Sequence, residues 1–334
     1  MGKRPPFDVE AGPQKSRPPR PPPPPLPPAP EPWMPWLVPL IFLANLVVFA
    51  YSLYIDNCPS VHVPHKCLLY DFLGRFSFQP FKENPLFGPS MSTLRDLGAL
   101  DQGLVQSGQA WRLLSCIWLH AGLIHLLANM LSLLFIGIRL EQEFGFLRIG
   151  LLYVISGFGG SLMSCLNQKR ERTTISVGAS GALFGLLGAM LSELITNWTI
   201  YENKCAALTT LILIIGLNLA VGFVPHVDNS AHIGGFLTGF LLGFVLLVRP
   251  QYGYVSRKQI PAGYEVKRKK SKYKCYQHIL CVTALVILII GYYSCSFTTC
   301  KNFVVILILT SLPNFCNLAG LHLDYSAHSI PMKL

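Results

Sequence analysis

Residues 231–248 read AHIGGFLTGFLLGFVLLV, an 18-residue stretch that contains no Asp, Glu, Lys or Arg. An α-helix needs about 20 predominantly apolar residues to cross the hydrocarbon core of a bilayer. Within the stretch, Gly235, Gly239 and Gly243 recur every four residues, which places them on one face of a helix. Small residues at this spacing allow two membrane helices to approach closely. The stretch therefore predicts a spanning helix that packs tightly against a neighbour.

The rest of the chain is also rich in apolar residues and poor in charged ones. Of its 334 residues, 51% are apolar and 13% are charged, and the mean hydropathy is +0.44. These values exclude a soluble single-domain protein and predict an all-α polytopic membrane protein. The predicted spans are 37–54, 113–139, 147–166, 180–196, 206–224, 231–248 and 277–294. In the second span, His120-Ala121-Gly122 predicts a membrane-surface segment followed by a helix that begins near Gly122.

The segments outside the spans set the orientation. Residues 1–36 hold 15 of the 26 prolines and predict an extended, disordered tail, with an SH3 or WW ligand as the alternative. No apolar stretch follows Met1 closely, so the first span is expected to be an uncleaved signal anchor. A cytosolic amino terminus gives that side 17 Lys and Arg and the opposite side 10, with nine in the basic loop 249–276. Contact with membrane lipid explains this loop better than nucleic acid does.

The ten cysteines form no CxxC pair and no cluster with zinc spacing, so neither a metal nor a cofactor is predicted. Cys58 and Cys67 would share the oxidising side of the membrane and could form a disulfide that closes a short loop.

Four polar side chains fall at one predicted depth. With the amino terminus in the cytosol, spans two, four and six all run inward from the exoplasmic side. Their early positions hold His125 and Asn129, then Ser180, then His232. Polar groups inside a membrane are costly and are functional candidates by default.

Ser180 and His232 form a candidate nucleophile and base. Ser180 lies at the start of span four, where free backbone N–H groups could stabilise an oxyanion. Close packing of Gly181 and Gly185 against the glycines of span six would bring His232 within hydrogen-bond reach of Ser180. A hydrogen bond from His232 to a backbone carbonyl is the competing interpretation. Asp228 is expected in a water-exposed loop, which favours a Ser–His dyad over a triad.

His125 and Asn129 lie one helical turn apart, so both can face the same point. An imidazole and an amide that converge on the nucleophile could donate to an oxyanion. The alternative is a hydrogen-bonded pair that holds the helices together. His120, earlier in the surface segment, is expected to be structural.

Five short motifs follow one another between Trp111 and Gly235, within the spans of residues 37–294. They are Trp111-Arg112, His125-x-x-x-Asn129, Glu141-x-x-x-Gly145, Gly178-Ala179-Ser180-Gly181 and Ala231-His232-x-Gly234-Gly235. Their combination resembles the rhomboid family of intramembrane serine proteases.

The resemblance implies a six-span protease core over 37–248, with a first loop over 55–112 and a seventh span over 277–294. It implies Ser180 as nucleophile, His232 as base, and His125 and Asn129 as oxyanion donors beside the backbone N–H of Ser180. Trp111-Arg112 would have a structural role in a membrane-embedded first loop. The implied partners are single-pass transmembrane substrates, which would be cut near the exoplasmic side.

The presence of a seventh span and the amino-acid sequence of the first loop resemble those of plant rhomboid-like proteins of the secretory pathway. After about Gly291 the chain departs from that pattern, and residues 295–334 form an atypical tail. Two other functions compete with that of a protease. A non-catalytic rhomboid-fold protein that binds transmembrane clients is disfavoured because all four site residues are present. A transporter is disfavoured because no charged residues lie at the midplane.

Overall fold

The computed structural model of the chain describes residues 34–58, 67–167, 175–199, 201–221, 228–250 and 273–299. Most of the proline-rich tail, most of the basic loop and the carboxyl-terminal tail from residue 300 lie outside these ranges. Within them the chain is helical, and its only β-pairing consists of two isolated bridges, Leu68 with Phe78 and Leu100 with Ser176. The described part therefore confirms the predicted all-α fold.

Seven long helices make up the described part of the bundle. They are α1 (Leu37–Asp56), α2 (Leu123–Phe144), α3 (Phe146–Asn167), α4 (Ser180–Thr196), α5 (Lys204–Val221), α6 (Asn229–Leu246) and α7 (Cys275–Thr299). Of these, α1, α2, α3, α6 and α7 are long and apolar enough to cross a membrane by themselves. The helix α4 and the apolar part of α5 are shorter. The chain is thus a multi-pass membrane protein.

The helix α2 begins at Leu123, as the break around Gly122 predicts, but it ends at Phe144, beyond the predicted limit of residue 139. Its amphipathic last turns continue the helix until Gly145, whose positive φ of 84° ends it. Residues 133–137 form a wide π-helical turn in the middle of α2. The residues before α2 fold as the short helices Arg112–Ser115 and Cys116–Trp118.

The glycine faces of α4 and α6 are in direct backbone contact. A Cβ added at Gly235 would overlap the carbonyl oxygen of Gly181, and one at Gly239 would overlap that of Gly185. The third helix of this core is α3, because a Cβ on Gly160 would lie 2.6 Å from the carbonyl oxygen of Ala231. The predicted close approach of spans four and six is confirmed. This approach brings the first residues of α4 and α6 together.

The other ends of α2, α4 and α6 also meet. Arg249, just after α6, pairs with Glu143 of α2 at 2.5 Å and with Glu193 of α4 at 3.0 Å. The carboxyl-terminal ends of these three helices therefore lie at one level. This arrangement agrees with parallel spans two, four and six.

The helix α7 closes the same end of the bundle. Tyr276 donates its hydroxyl proton to the carbonyl oxygen of Thr196 at 2.7 Å. Gln277, which is 1% exposed, donates from Nε2 to the Asn197 side-chain oxygen at 3.3 Å. Asn197 in turn donates from Nδ2 to the carbonyl oxygen of Leu247 at 3.0 Å. These bonds satisfy carbonyl groups that the ends of α4 and α6 would otherwise leave unpaired.

The first turn of α1 is held by α2. Glu141 is fully buried, and its carboxylate accepts hydrogen bonds from the N–H groups of Trp36 at 3.0 Å, Leu37 at 2.8 Å and Val38 at 2.8 Å. These are N–H groups that a helix start leaves without intrahelical partners, and a carboxylate there is also favoured by the helix dipole. Glu141 therefore stabilises the docking of α1.

The first loop is a packed unit. A disulfide joins Cys58 to Cys67. The guanidinium of Arg112 donates to the carbonyl oxygens of Arg95 at 2.5 Å and Ala99 at 2.9 Å. These contacts give Arg112 a structural part in the loop.

Candidate active site

Ser180 is the first residue of α4, and the strand-like segment before it is pinned to the first loop. Ser176 and Leu100 exchange two backbone hydrogen bonds, of 2.9 Å and 3.0 Å. Gly178 then donates its N–H to the carbonyl oxygen of Cys116 at 2.9 Å. The φ angle of Gly178 is +128°, a value that side chains with a Cβ rarely adopt. The glycine therefore makes the turn that presents Ser180.

His232 lies opposite Ser180. Its Nε2 atom is 2.9 Å from the Ser180 Oγ atom, although the two residues are 52 positions apart in the chain. His232 is 5% exposed, and its ring stacks on that of Phe184 with 4.3 Å between centroids. The geometry allows a proton to pass from the hydroxyl to the imidazole.

No carboxylate of the described residues hydrogen-bonds to the Nδ1 atom of His232, which is buried without a partner. Asp228 is half-buried rather than water-exposed as expected, because it caps α6. Its carboxylate accepts the N–H of Ala231 at 3.1 Å and the hydroxyl of Ser164. Among the described residues the arrangement is a pair and not a triad.

His125 and Asn129 both face Gly178. A Cβ built on Gly178 would lie 2.8 Å from the Nε2 atom of His125 and 3.6 Å from the Nδ2 atom of Asn129. The Nδ2 atom of Asn129 is buried and has no hydrogen-bond partner among the described residues. Two side-chain donors thus converge on the backbone two residues before Ser180. Such donors are what a developing oxyanion requires.

Two further side chains, Phe184 and His120, pack against the histidines of the site, and the sequence does not indicate a role for either in catalysis. Phe184 lies one turn after Ser180, and a phenylalanine in an apolar span gives no signal that separates it from an ordinary core residue. His120 is fully buried, with its ring centroid 5.3 Å from that of His125. Both are packed against a site histidine.

No group of three or more His, Cys, Asp or Glu side chains in the described ranges is arranged to hold a metal ion. The groups that meet at this site are the Ser180 hydroxyl, the imidazoles of His125 and His232, the Asn129 amide and backbone N–H groups.

The chain is similar in sequence to a known domain family and to several known proteins. The Rhomboid domain family matches residues 107–249. The chain is 66% identical to RHOMBOID-like protein 5 of Arabidopsis thaliana over 294 residues, which are 87% of this chain and 93% of that protein. It is 44% identical to a protein named Inactive RHOMBOID-like protein 8, also of Arabidopsis thaliana, over 69% of this chain and 63% of that protein.

A bacterial protein is also similar. The chain is 37% identical to Rhomboid protease GluP of Bacillus subtilis over 171 residues, which are 51% of this chain and 32% of that protein. The relatives thus include a protein named as a protease and one named as inactive. The high identity over nearly the whole length of a plant relative, the family match and the helical bundle agree, and the chain belongs to the rhomboid family.

Proposed function

We propose that this protein is a serine endopeptidase that cleaves transmembrane segments within the bilayer. Ser180 is the nucleophile and His232 is the general base. The observation that carries this proposal is the distance of 2.9 Å between Ser180 Oγ and His232 Nε2 in a buried setting.

The geometry supports a two-step acyl transfer. As Ser180 Oγ bonds to the scissile carbonyl carbon, its proton passes to His232 Nε2. Asn129, His125 and the backbone N–H of Ser180 donate to the oxyanion. When the C–N bond breaks, His232 returns the proton to the leaving amine. His232 then takes a proton from water as the water oxygen bonds to the acyl carbon. The bond between that carbon and Ser180 Oγ breaks, and His232 returns the proton to Oγ, which restores the hydroxyl and releases the carboxylic acid product.

The short length of α4 supports a site close to the exoplasmic surface. Its 17 residues extend about 25 Å, less than the hydrocarbon core of about 30 Å. The carboxyl-terminal end of α4 lies beside the ion pairs of Arg249, which we place at the cytosolic surface. Since α4 is too short to reach across the membrane, Ser180 at its first residue would lie below the exoplasmic surface. Water can reach such a depth more easily than the midplane.

We propose single-pass substrates with small or helix-breaking residues in the exoplasmic third of the span. A helix hides its peptide bonds, so the scissile stretch must unwind before attack. Relative to Ala, Gly lowers this cost by about 1 kcal/mol and Pro by about 3 kcal/mol on a scale measured in water. In a tagged reporter, replacing these residues by Leu should suppress shedding. Equal shedding from the all-Leu segment would reject this preference.

We also propose a membrane of the secretory pathway, with residues 1–36 and the loop 249–276 in the cytosol. The disulfide between Cys58 and Cys67 supports an oxidising environment around the first loop. Secretory membranes place exoplasmic loops in such an environment.

The decisive experiment compares labelling of the purified protein by a serine-reactive fluorophosphonate. The native protein should be labelled and should cleave the reporter, whereas Ser180→Ala and His232→Ala should do neither. The double variant should be no worse than either single variant, because the two residues act as a unit. Substantial cleavage by either single variant would reject the dyad.

The second candidate is a non-catalytic protein that binds transmembrane clients, and the similarity to a relative named inactive favours keeping it. It predicts capture of a client without cleavage, in the native protein and in Ser180→Ala alike.

A further inference from the structure

The start of α2 is capped by backbone groups of the first loop. The N–H of Leu123 donates to the carbonyl oxygen of Phe87 at 2.8 Å, and the N–H of Ile124 donates to that of Leu86 at 3.3 Å. A helix start has free N–H groups, and a side chain usually accepts from them. Here the accepting groups belong to a loop more than 30 residues earlier in the chain. The loop therefore sets where α2 begins.

This contact is a direct approach of two backbones. A Cβ on Gly122 would overlap the carbonyl oxygen of Leu86, and a Cβ on Gly88 would overlap that of Ala121. No side chain separates the two segments at these points. A displacement of the loop therefore moves the start of α2, or it breaks the cap.

Asn84 holds the loop in this position. It is 1% exposed, and its Nδ2 atom donates to the carbonyl oxygens of Ala121 at 2.7 Å and Pro89 at 2.8 Å. Its Oδ1 atom accepts the N–H of Leu86 at 3.0 Å. One amide thus joins both halves of the loop to the residues that precede α2. Loss of a buried partner leaves polar groups unsatisfied, which is costly.

His125 follows Ile124 directly, and Asn129 lies one turn further along α2. The position of both against Gly178 therefore depends on where α2 begins. We propose that Asn84 is a positioning residue that sets His125 and Asn129 for catalysis through the start of α2. This inference rests on the proposed protease function. The hydrogen bonds of Asn84 go to Ala121, Pro89 and Leu86, so its effect on the two site residues passes through the start of α2.

The test uses an isosteric substitution in the full-length protein. Asn84→Asp keeps the shape and the acceptor for Leu86, but it replaces two amide donors by a carboxylate that faces two carbonyl oxygens. The kcat for reporter cleavage should fall about 100-fold, the scale for misplacing a reacting group by about 1 Å. The KM should stay within about twofold, because the substrate-binding surface is unchanged. The matched control is Glu83→Gln at the exposed neighbour, which should cleave as the native protein does.

A double-mutant cycle separates positioning from a general structural effect. In an Asn129→Ala background, Asn84→Asp should cost less than about 10-fold in kcat, because one group that it positions is already gone. An equal penalty in both backgrounds would overturn the proposal, and so would native kcat in a folded Asn84→Asp protein. If Asn84→Asp does not melt cooperatively in detergent, Asn84→Ala, which adds no charge, replaces it. Failure of both to fold would assign Asn84 to folding instead.

The proposed function fails in a different way. In that case the unsubstituted protein shows no cleavage that depends on Ser180, whatever residue stands at position 84.

Discussion

The ring of Phe184 stacks on the imidazole of His232, with 4.3 Å between centroids and 23° between planes. Phe184 lies one turn after Ser180, so α4 supplies both the hydroxyl and the aromatic wall that contact His232. The Nδ1 atom of His232 has no hydrogen-bond partner among the described residues. The stack therefore limits the orientation of the imidazole where a triad would use a carboxylate.

Removal of this stack should slow cleavage without abolishing it. Aromatic pairs contribute about 0.5–1.5 kcal/mol, so Phe184→Ala should lower kcat by about 2- to 12-fold if the stack holds His232 in its reactive orientation. The measurement is reporter cleavage by purified protein. The control is Phe135→Ala, since Phe135 is 81% exposed on α2 and should not affect the rate. An equal loss in both variants would contradict a role of the stack.

Loss of one oxyanion donor should be more severe. Asn129→Ala should reduce kcat by about 100- to 1000-fold, the scale for one such donor, with residual activity through His125 and the backbone N–H of Ser180. Asn218→Ala is the matched control, because that amide bonds to Ile214 of its own helix. A native rate for Asn129→Ala would leave Asn129 as a helix-packing residue.

A pair of glycine substitutions tests the packing of α4 against α6. Gly239→Ala would place a methyl group on the carbonyl oxygen of Gly185. It should lower the midpoint of thermal unfolding in detergent and reduce activity, because two backbones would have to separate. Gly216→Ala is the control, since a Cβ at Gly216 meets no atom within 4 Å. It should leave stability unchanged or raised by up to about 1 kcal/mol through helix propensity. The close approach would be refuted by equal behaviour of the two variants.

Glycosylation tests the proposed orientation. Asn197-Trp198-Thr199 is an acceptor sequence, but it lies at the end assigned to the cytosol, and its amide is fully buried against Leu247. It should carry no glycan on expression in a glycosylating cell. The control is Met91→Asn, which creates an acceptor sequence in the exposed start of a first-loop helix and should be modified. A glycan at Asn197 would invert the proposed topology.

The sequence predicts those parts of the fold that follow from the spacing of residues along a helix and from the alternating direction of successive spans. The four-residue glycine spacing indicates which faces of α4 and α6 meet, and the alternating direction of the spans places Ser180 and His232 at one depth. The first rule uses residues of a single helix, and the second uses only the number of membrane spans. Neither rule needs to know which residues distant in sequence are in contact.

Other features could not be found in this way. The sequence marks Glu141 only as part of the motif Glu141-x-x-x-Gly145, yet its carboxylate caps α1 from more than 100 positions away. Asp228 is predicted to be exposed, yet it is half-buried and accepts hydrogen bonds from Ser164 and from the first turn of α6. Phe184 acts through a ring contact that no local pattern marks. Each depends on which helices are neighbours, and hydropathy alone does not determine this.

The hydrogen bonds of Tyr276 and Gln277 make the end of α4 depend on the seventh helix. They fill acceptors on Thr196 and Asn197 that belong to the helix of Ser180. In a protein shortened before Cys275, the Asn197 side-chain oxygen would keep its hydrogen bond from the N–H of Arg249, but the carbonyl oxygen of Thr196 would lose both of its partners from α7. The end of the fourth helix is therefore closed in part by α7, which is an integral component of this fold and not an appended anchor.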